Sequence, residues 1–294
     1  MLAAIEDAAE LGYRTVSVSG GEPLLYDALP EVLEFSKRLG LRTTVTTNGT
    51  VLGARRFDPV AGLVDLLAIS VDGIGVLHDR LRRHRGAFAR LMKGVERVRA
   101  RGIGFGFIHT LTRESWEQIE AIVELAATAG AQLVQVHPLE LAGRAGDRLR
   151  GAECDQLTLA QVYILTLALN LRYAGTPLVQ YDVLHVGTLR QSPERFYASE
   201  GSWEGRELRA EDLAILVLEA DGTVVPNTYG FGRAYRVADV KTERLRDAWP
   251  RFAAEVYPRF LELCRHVHDE LVADDTQRFV NWYEVCHEAS AQRA

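Results

Sequence analysis

The sequence predicts an α/β fold built on a parallel sheet, and three observations carry that reading. β-branched runs alternate with helical patterns through the first half of the chain. The repeat of roughly 25 to 35 residues is the length of a strand plus a returning helix. Small and polar residues gather where three successive strands end, the side of such a sheet that holds ligands.

Met1 to Gly12 reads as an amphipathic helix stopped by Gly12. Strand Thr15 to Ser19 follows, then the turn GGEPLL and a helix from Leu29 to Leu39 closed by Gly40. Strand Arg42 to Thr47 leads into a turn at Asn48-Gly49 and a weakly helical stretch through Gly62. The third strand is Asp65 to Asp72, with a helix from Phe88 to Arg101 after it. Strand Ile103 to Thr110, helix Ser115 to Ala129 and strand Gln132 to Leu139 complete five strands, expected in sequential order in one sheet.

Beyond Gly143 the pattern changes. Leu157 to Tyr173 is a strongly apolar helix, broken by Gly175 to Pro177. Arg190 to Arg209 reads as a charged linker, Leu213 to Thr228 as a hairpin turning at Asp221-Gly222, and Arg244 to Ala294 as helical. The expected parts are 1–146, a helical bridge and linker at 147–210, and a small α+β extension at 211–294. Tyr13, Phe107, Trp116, Tyr163 and Tyr173 sit at apolar-periodic positions and are expected in the core, while His78, Asp79 and His84 read as solvated loop residues.

Composition excludes several classes. A hydrophobic share of 47% with 25% charged residues is that of a globular chain, not a disordered or fibrous one. A net charge of −6 argues against general nucleic-acid binding. The longest apolar run, Val162 to Leu171, is half of what a bilayer needs, and the acidic N-terminus lacks a secretory pattern. A cytoplasmic location is therefore expected. Three cysteines, Cys154, Cys264 and Cys286, give no disulfide framework.

The most informative stretch is SVSGGEPLL, Ser17 to Leu25. Gly20 and Gly21 remove side chains where something must approach the backbone, Glu22 adds a carboxylate and Pro23 fixes the exit. A plain tight turn with a solvated Glu is the competing reading. The next strand ends carry TTNGT and SVDG, each explicable alone as a turn or strand terminus. Together, at successive strand ends, they argue for one shared site.

GGEPLL, TTNGT, ISVDG, HDRLR with GAF, and GRA after VQVHPL occur here in that order over about residues 1–146. This series resembles the radical S-adenosylmethionine (radical SAM) superfamily, most closely the branch with SPASM or twitch extensions that modifies peptides. The resemblance implies a partial (β/α) barrel, S-adenosylmethionine (SAM) as cofactor and a ribosomally made peptide as substrate. It implies that Gly20, Gly21 and Glu22 receive the methionine amino group, with Thr47 and Asn48 beneath the same cofactor. It places Ser70 and Asp72 at the ribose, Arg82 at the methionine carboxylate, and His109 with the backbone of Val136 to Pro138 near the adenine.

The departures are equally specific. The resemblance implies a [4Fe-4S] cluster held by C-x3-C-x2-C, in which three thiolates leave one iron open; no such motif occurs in the sequence. The chain reads as beginning inside the helix that follows the cluster loop, leaving the sheet with an open edge through which copies could associate. LVLEADGTVVPNT through Trp249 is similar to a SPASM or twitch hairpin and helix, with Asn227 where a cluster cysteine is expected. Cys264 with His266 and His268, and Cys286 with His287, lack the spacing of a tetrahedral metal site. Two functions stay open: a SAM-cleaving enzyme whose cluster segment lies upstream, or a cluster-less module that binds a peptide or nucleotide.

Overall fold

A computed structural model describes residues 1–140, 149–197 and 208–292. The GRA segment at 143–145 and most of the expected linker fall outside the described residues. Among the described residues no helix is long and apolar enough to cross a membrane.

The chain parts into two compact units, Thr15–Val183 and Met1–Arg14 with Leu184–Ala294. These boundaries differ from the sequence expectation of 1–146, 147–210 and 211–294, for two reasons given below.

The Thr15–Val183 unit is an α/β sheet. Its strands are β1 (Thr15–Val18), β2 (Arg42–Thr47), β3 (Leu66–Ser70), β4 (Phe105–Leu111), β5 (Leu133–Pro138) and β6 (Leu178–Tyr181). They lie in the order β1-β2-β3-β4-β5-β6, and every neighbouring pair is parallel. The five expected strands are therefore in one sheet in sequential order. β6 is a sixth strand inside the stretch read as bridge and linker, and its pairing with β5 carries this unit on to Val183.

One face of the sheet is packed under helices. Leu29 and Leu33 of α2 (Leu29–Arg38) and Leu91, Val95 and Val98 of a helix at Ala87–Ala100 join this core. So do Ile122, Val123 and Ala126 of a helix at Ile119–Ala129, and Val162 and Leu169 of a helix at Gln156–Arg172. A short helix at Val76–Leu81, unrecognised in the sequence, precedes that at Ala87–Ala100. In chain order after α2, the short helix and the other three are α3 (Val76–Leu81), α4 (Ala87–Ala100), α5 (Ile119–Ala129) and α6 (Gln156–Arg172).

The other unit contains the first helix, α1 (Leu2–Glu10). The buried Asp7 carboxylate takes a two-pronged ion pair from Arg244, with Arg244 Nη2 at 2.6 Å and Nε at 2.9 Å. That fork, and Tyr13 donating its hydroxyl to the Leu213 carbonyl at 2.6 Å, explain why α1 folds with the C-terminal part rather than with the sheet. The expected hairpin is present as β8 (Leu216–Leu218) and β9 (Thr223–Pro226), preceded by the short β7 (Leu184–His185) and α7 (Val186–Gln191). β10 (Ala238–Asp239) adds a third antiparallel strand. Trp249 lies on α8 (Leu245–Arg251), followed by α9 (Tyr257–Ala273), β11 (Phe279–Val280) and α10 (Trp282–Gln292).

Candidate functional site

Side chains alternate between the two faces of a strand, and the alternation here is chemical. Val45, Leu67, Ile69, Phe105, Phe107, Val134, Val136 and Val179 face the helices. The intervening positions, among them Thr44, Thr46, Ser70, Ile108, Thr110, Gln135 and His137, are less buried and mostly polar. A parallel sheet with both faces in a core reads as continuous apolar runs; this one keeps a polar face. Register aligns its carboxyl end: Ser70 pairs with Ile108, Ile108 with Gln135 and Thr110 with His137. Asn48 comes one residue after the Thr47–Ile69 pair and so stands level with Ser70.

At the β1–β2 end, Glu22 ties two motif segments together. Its Oε1 accepts the Thr47 hydroxyl at 2.8 Å and the Leu24 N–H at 3.2 Å, and its Oε2 accepts the Asn48 N–H at 2.8 Å. Gly20 holds φ +126° in the exposed turn, a conformation open to glycine. Asn48 Oδ1 accepts both the N–H and the hydroxyl of Thr50, which closes the following turn. Thr47 is fully buried on the helix-packed side, so it positions Glu22 and offers no surface to a ligand, a correction to its expected place in the cofactor contact.

Gly49 shows why this turn needs glycine. It has φ +76°, and a Cβ there would run into the Leu91 side chain in the core. We expect Gly49→Ala to cost about 2–4 kcal/mol, from left-handed strain plus overpacking. Urea unfolding with an unchanged m-value checks it; a loss under 1 kcal/mol would mean that neither the left-handed backbone nor the Leu91 contact resists the added methyl.

At the β3 end, Arg82 Nε lies 2.6 Å from Asp72 Oδ2 as a charge contact rather than an aligned hydrogen bond. Arg82 is thus paired within the chain and not presented as a lone cation. The second oxygen, Asp72 Oδ1, is buried without a hydrogen-bond partner. A buried carboxylate oxygen left this way is costly unless something donates to it. The Asp72 N–H donates to His78 Nδ1 at 3.2 Å.

His78 and His109 correct the sequence reading. His78 is buried on α3 rather than solvated, and burial pushes its pKa below the ordinary histidine value. Asp79 beside it accepts the N–H groups of Gly86 and Phe88 at 2.6 and 2.8 Å and so fixes the start of α4; His84 is exposed, as expected. His109 has no accessible surface. Its Nδ1 donates to the Val71 carbonyl at 3.0 Å, its Nε2 lies 3.2 Å from Ser115 Oγ, and burial lowers its pKa. It lies on the core side with Phe105 and Phe107, so it braces β3 against β4 and offers no surface to a ligand, a correction to its expected place near the adenine.

A further group at the β5 and β6 ends went unrecognised in the sequence. His137 Nδ1 lies 2.8 Å from Asp182 Oδ2, and its Nε2 lies 3.2 Å from Glu140 Oε1. Gln135 Nε2 donates to the same Asp182 oxygen at 2.6 Å. Burial alone would lower the His137 pKa, but the two carboxylates overcome it and push the pKa up to about 10. The imidazole therefore stays protonated through neutral pH.

With that geometry in place, comparison with known proteins gives the family. Residues 1–126 match the Radical SAM superfamily. Those residues place this part of the chain in the radical SAM superfamily. It is 28% identical over 258 residues to pre-heme d1 synthase of Dinoroseobacter shibae, covering 83% of this chain and 63% of that protein. It is 24% identical over 266 residues to Fe-coproporphyrin III synthase of Methanosarcina barkeri, covering 86% and 66%. PqqA peptide cyclase of Ruegeria pomeroyi is 31% identical over 142 residues, covering 48% of this chain and 38% of the cyclase. The chain thus spans at most about two thirds of the length of these relatives. Its fold matches that of Streptococcus suis SuiB bound to S-adenosylmethionine, with TM-score 0.64, 17% identity, and coverage of 89% of this chain and 60% of that one. It also matches anSMEcpe with bound AdoMet, with TM-score 0.62, 14% identity and coverage of 99% and 87%.

For a radical SAM protein two groups are implied, and this chain fits them unequally. The exposed Gly20-Gly21 backbone, the accessible Ser70 and the partnerless Asp72 Oδ1 suit a ligand as rich in donors and acceptors as SAM. The cluster does not fit this chain's own thiols. Cys264 and Cys286 are both buried in one unit, where burial pushes the Cys286 thiol well up. Cys154 is half-buried in the other, with burial pushing its thiol up to about 11. Among the described residues no group of three His, Cys, Asp or Glu side chains is placed to hold a metal ion. The histidines near the buried pair are engaged elsewhere: His266 with Glu270, His268 with Asp269, and His287 with the Gly230 carbonyl.

Proposed function

We propose that this chain carries the SAM-holding and substrate-facing sheet of a radical SAM enzyme that abstracts hydrogen from a peptide. The observation that carries the reading is the Glu22 carboxylate, which bonds Thr47 and Asn48 and so locks the first two motif segments into one strand-end surface. On that surface Gly20, Gly21 and Asn48 would receive the methionine end of SAM, and Ser70 and Asp72 the ribose. In a cluster-bearing form, SAM would supply the hydrogen-abstracting radical. This chain's residues hold the cofactor and line the face on which a substrate sits. The β8–β9 hairpin and α8 would form a degenerate SPASM- or twitch-like extension, with Asn227 at φ +64° in place of a cluster cysteine. The outer edge of β1, unpaired among the described residues, would be the route of any self-association.

The peptide reading draws support from fold neighbours, since SuiB has been seen bound to precursor peptide SuiA and anSMEcpe with a bound peptide. A second reading, a tetrapyrrole substrate, is favoured by the sequence relatives. The pre-heme d1 and Fe-coproporphyrin III synthases match over 83% and 86% of this chain, the peptide cyclase over 48%. In a form given a C-x3-C-x2-C segment, deuterium transfer into 5′-deoxyadenosine from a labelled peptide or a labelled porphyrin separates the two.

The chain by itself retains a few SAM hydrogen bonds of about 0.5–1.5 kcal/mol net each, and tenfold in affinity needs about 1.4 kcal/mol. We expect calorimetry to give high-micromolar SAM affinity at best, with no 5′-deoxyadenosine under reducing conditions. Adding a segment with C-x3-C-x2-C should bring iron, colour and SAM cleavage. Tight SAM binding by the chain alone would favour the cluster-less binding module instead.

A further inference from the structure

We propose that His137 is the anchor of a carboxylate subsite, and that Glu140 holds the place which a substrate carboxylate takes over. The inference rests on reading the polar sheet face as the reaction site, and it names the chemistry of the substrate group received there.

The geometry separates the two acids that flank the ring. Asp182 is a fixed partner: its side chain is only 13% exposed, it sits 2.8 Å from His137 Nδ1, and it accepts from Gln135 and Gln180 at 2.6 and 3.2 Å. Its own N–H donates to the Val136 carbonyl at 3.1 Å, which extends the β5–β6 ladder. Glu140 is the more exposed partner. It follows the end of β5, meets His137 Nε2 at 3.2 Å, and leaves 29% of its side chain in solvent. The ring itself is 35% exposed and pairs in register with Thr110 on the polar face.

Asp182 therefore orients the imidazolium and keeps it charged, while the Nε2–H points to an acid that solvent already reaches. Exchanging one carboxylate for another at Nε2 preserves the charge-assisted hydrogen bond and leaves no buried charge unpaired. At about 4.8 Å per strand, His137 stands two strands, or roughly 10 Å, from the Asp72 position. A substrate carboxylate held at His137 would thus lie beside the cofactor region.

Two sources carry this group, a glutamyl peptide and a propionate-bearing tetrapyrrole. The chain labelled with ¹⁵N-histidine would be titrated with N-acetyl-glutamate N-methylamide, with metal-free coproporphyrin III, and with SAM in a separate arm. In the wild-type chain the His137 Nε2–H resonance should shift saturably with one of the two carboxylate probes, which identifies the source. Glu140→Gln should tighten that probe by about tenfold, since the internal competitor is gone; His137→Gln should abolish the response; Glu31→Gln, which removes an equal charge from α2, should change nothing. No shift with either probe, or equal affinities for wild type and Glu140→Gln, overturns the subsite. Amide shifts at Gly20 and Gly21 with millimolar SAM report on the cofactor reading alone, so the two ideas fail separately.

Discussion

Replacing Asp7 by Asn should destabilise the Met1–Arg14 and Leu184–Ala294 unit more than any other single polar change in it, by about 2–3 kcal/mol. The carboxylate is fully buried, and it accepts Arg244 Nη2 and Nε at 2.6 and 2.9 Å in a bidentate fork. An Asn side chain keeps one acceptor but turns an amide N–H₂ toward the other guanidinium nitrogen, so two donors oppose each other. The cost stays at the lower end for a broken ion pair because Arg244 is partly exposed and water reaches it. A pH dependence follows. Burial raises the Asp7 pKa, but the contacts with Arg244 and Arg246 outweigh burial and hold it below the usual carboxylate range. A lowered native pKa contributes stability that is complete above the unfolded-chain value near about 4 and is lost as pH falls through the native value. Urea midpoints of wild type and Asp7→Asn should therefore converge on acidification below pH of about 4. A constant gap down to the acid transition would show that packing, not charge, fixes α1.

This contact also shows where local sequence reading ends. Positions 7 and 244 carry no mutual signal in composition or periodicity, so local reading groups α1 with the sheet that follows it. Strand order was legible because each β-branched run is followed by a helical pattern, and right-handed crossovers place such strands side by side. β6 was hidden by its brevity and by the Gly175-Thr176-Pro177 break just before it. With it went Asp182, and so the partner that makes His137 more than a strand residue. Period-two parity held two corrections in plain view. His109 shares parity with Phe105, Phe107 and Leu111, and Thr47 with Val45, so both belong to the helix-packed face. The same rule puts Gln135 and His137 on the polar face with Thr110. The motif glycines and Glu22 are legible as a strand-end turn, but that Glu22 bonds the second motif segment depends on register between β1 and β2.

The largest effect on the site is expected at Glu22. Glu22→Ala removes three acceptor contacts at once, from Thr47 Oγ1, Asn48 N–H and Leu24 N–H. Glu22→Gln keeps an oxygen for Thr47 and Leu24 but sets an amide N–H₂ against the Asn48 N–H, where a donor meets a donor. Hydrogen bonds to a charged acceptor contribute about 1.5–3 kcal/mol each, so even the conservative change should lower SAM affinity by about tenfold or more in a cluster-bearing form. Two measurements make the argument specific. Amide hydrogen exchange at Asn48 should quicken in both variants, and at Leu24 only in Glu22→Ala, because only there is its acceptor gone. Calorimetry on the cluster-bearing form should then show Glu22→Gln intermediate between wild type and Glu22→Ala. Unchanged Asn48 exchange in both variants would mean that the two strand-end segments hold together without this carboxylate. Glu22 would then act on the ligand directly, or not at all.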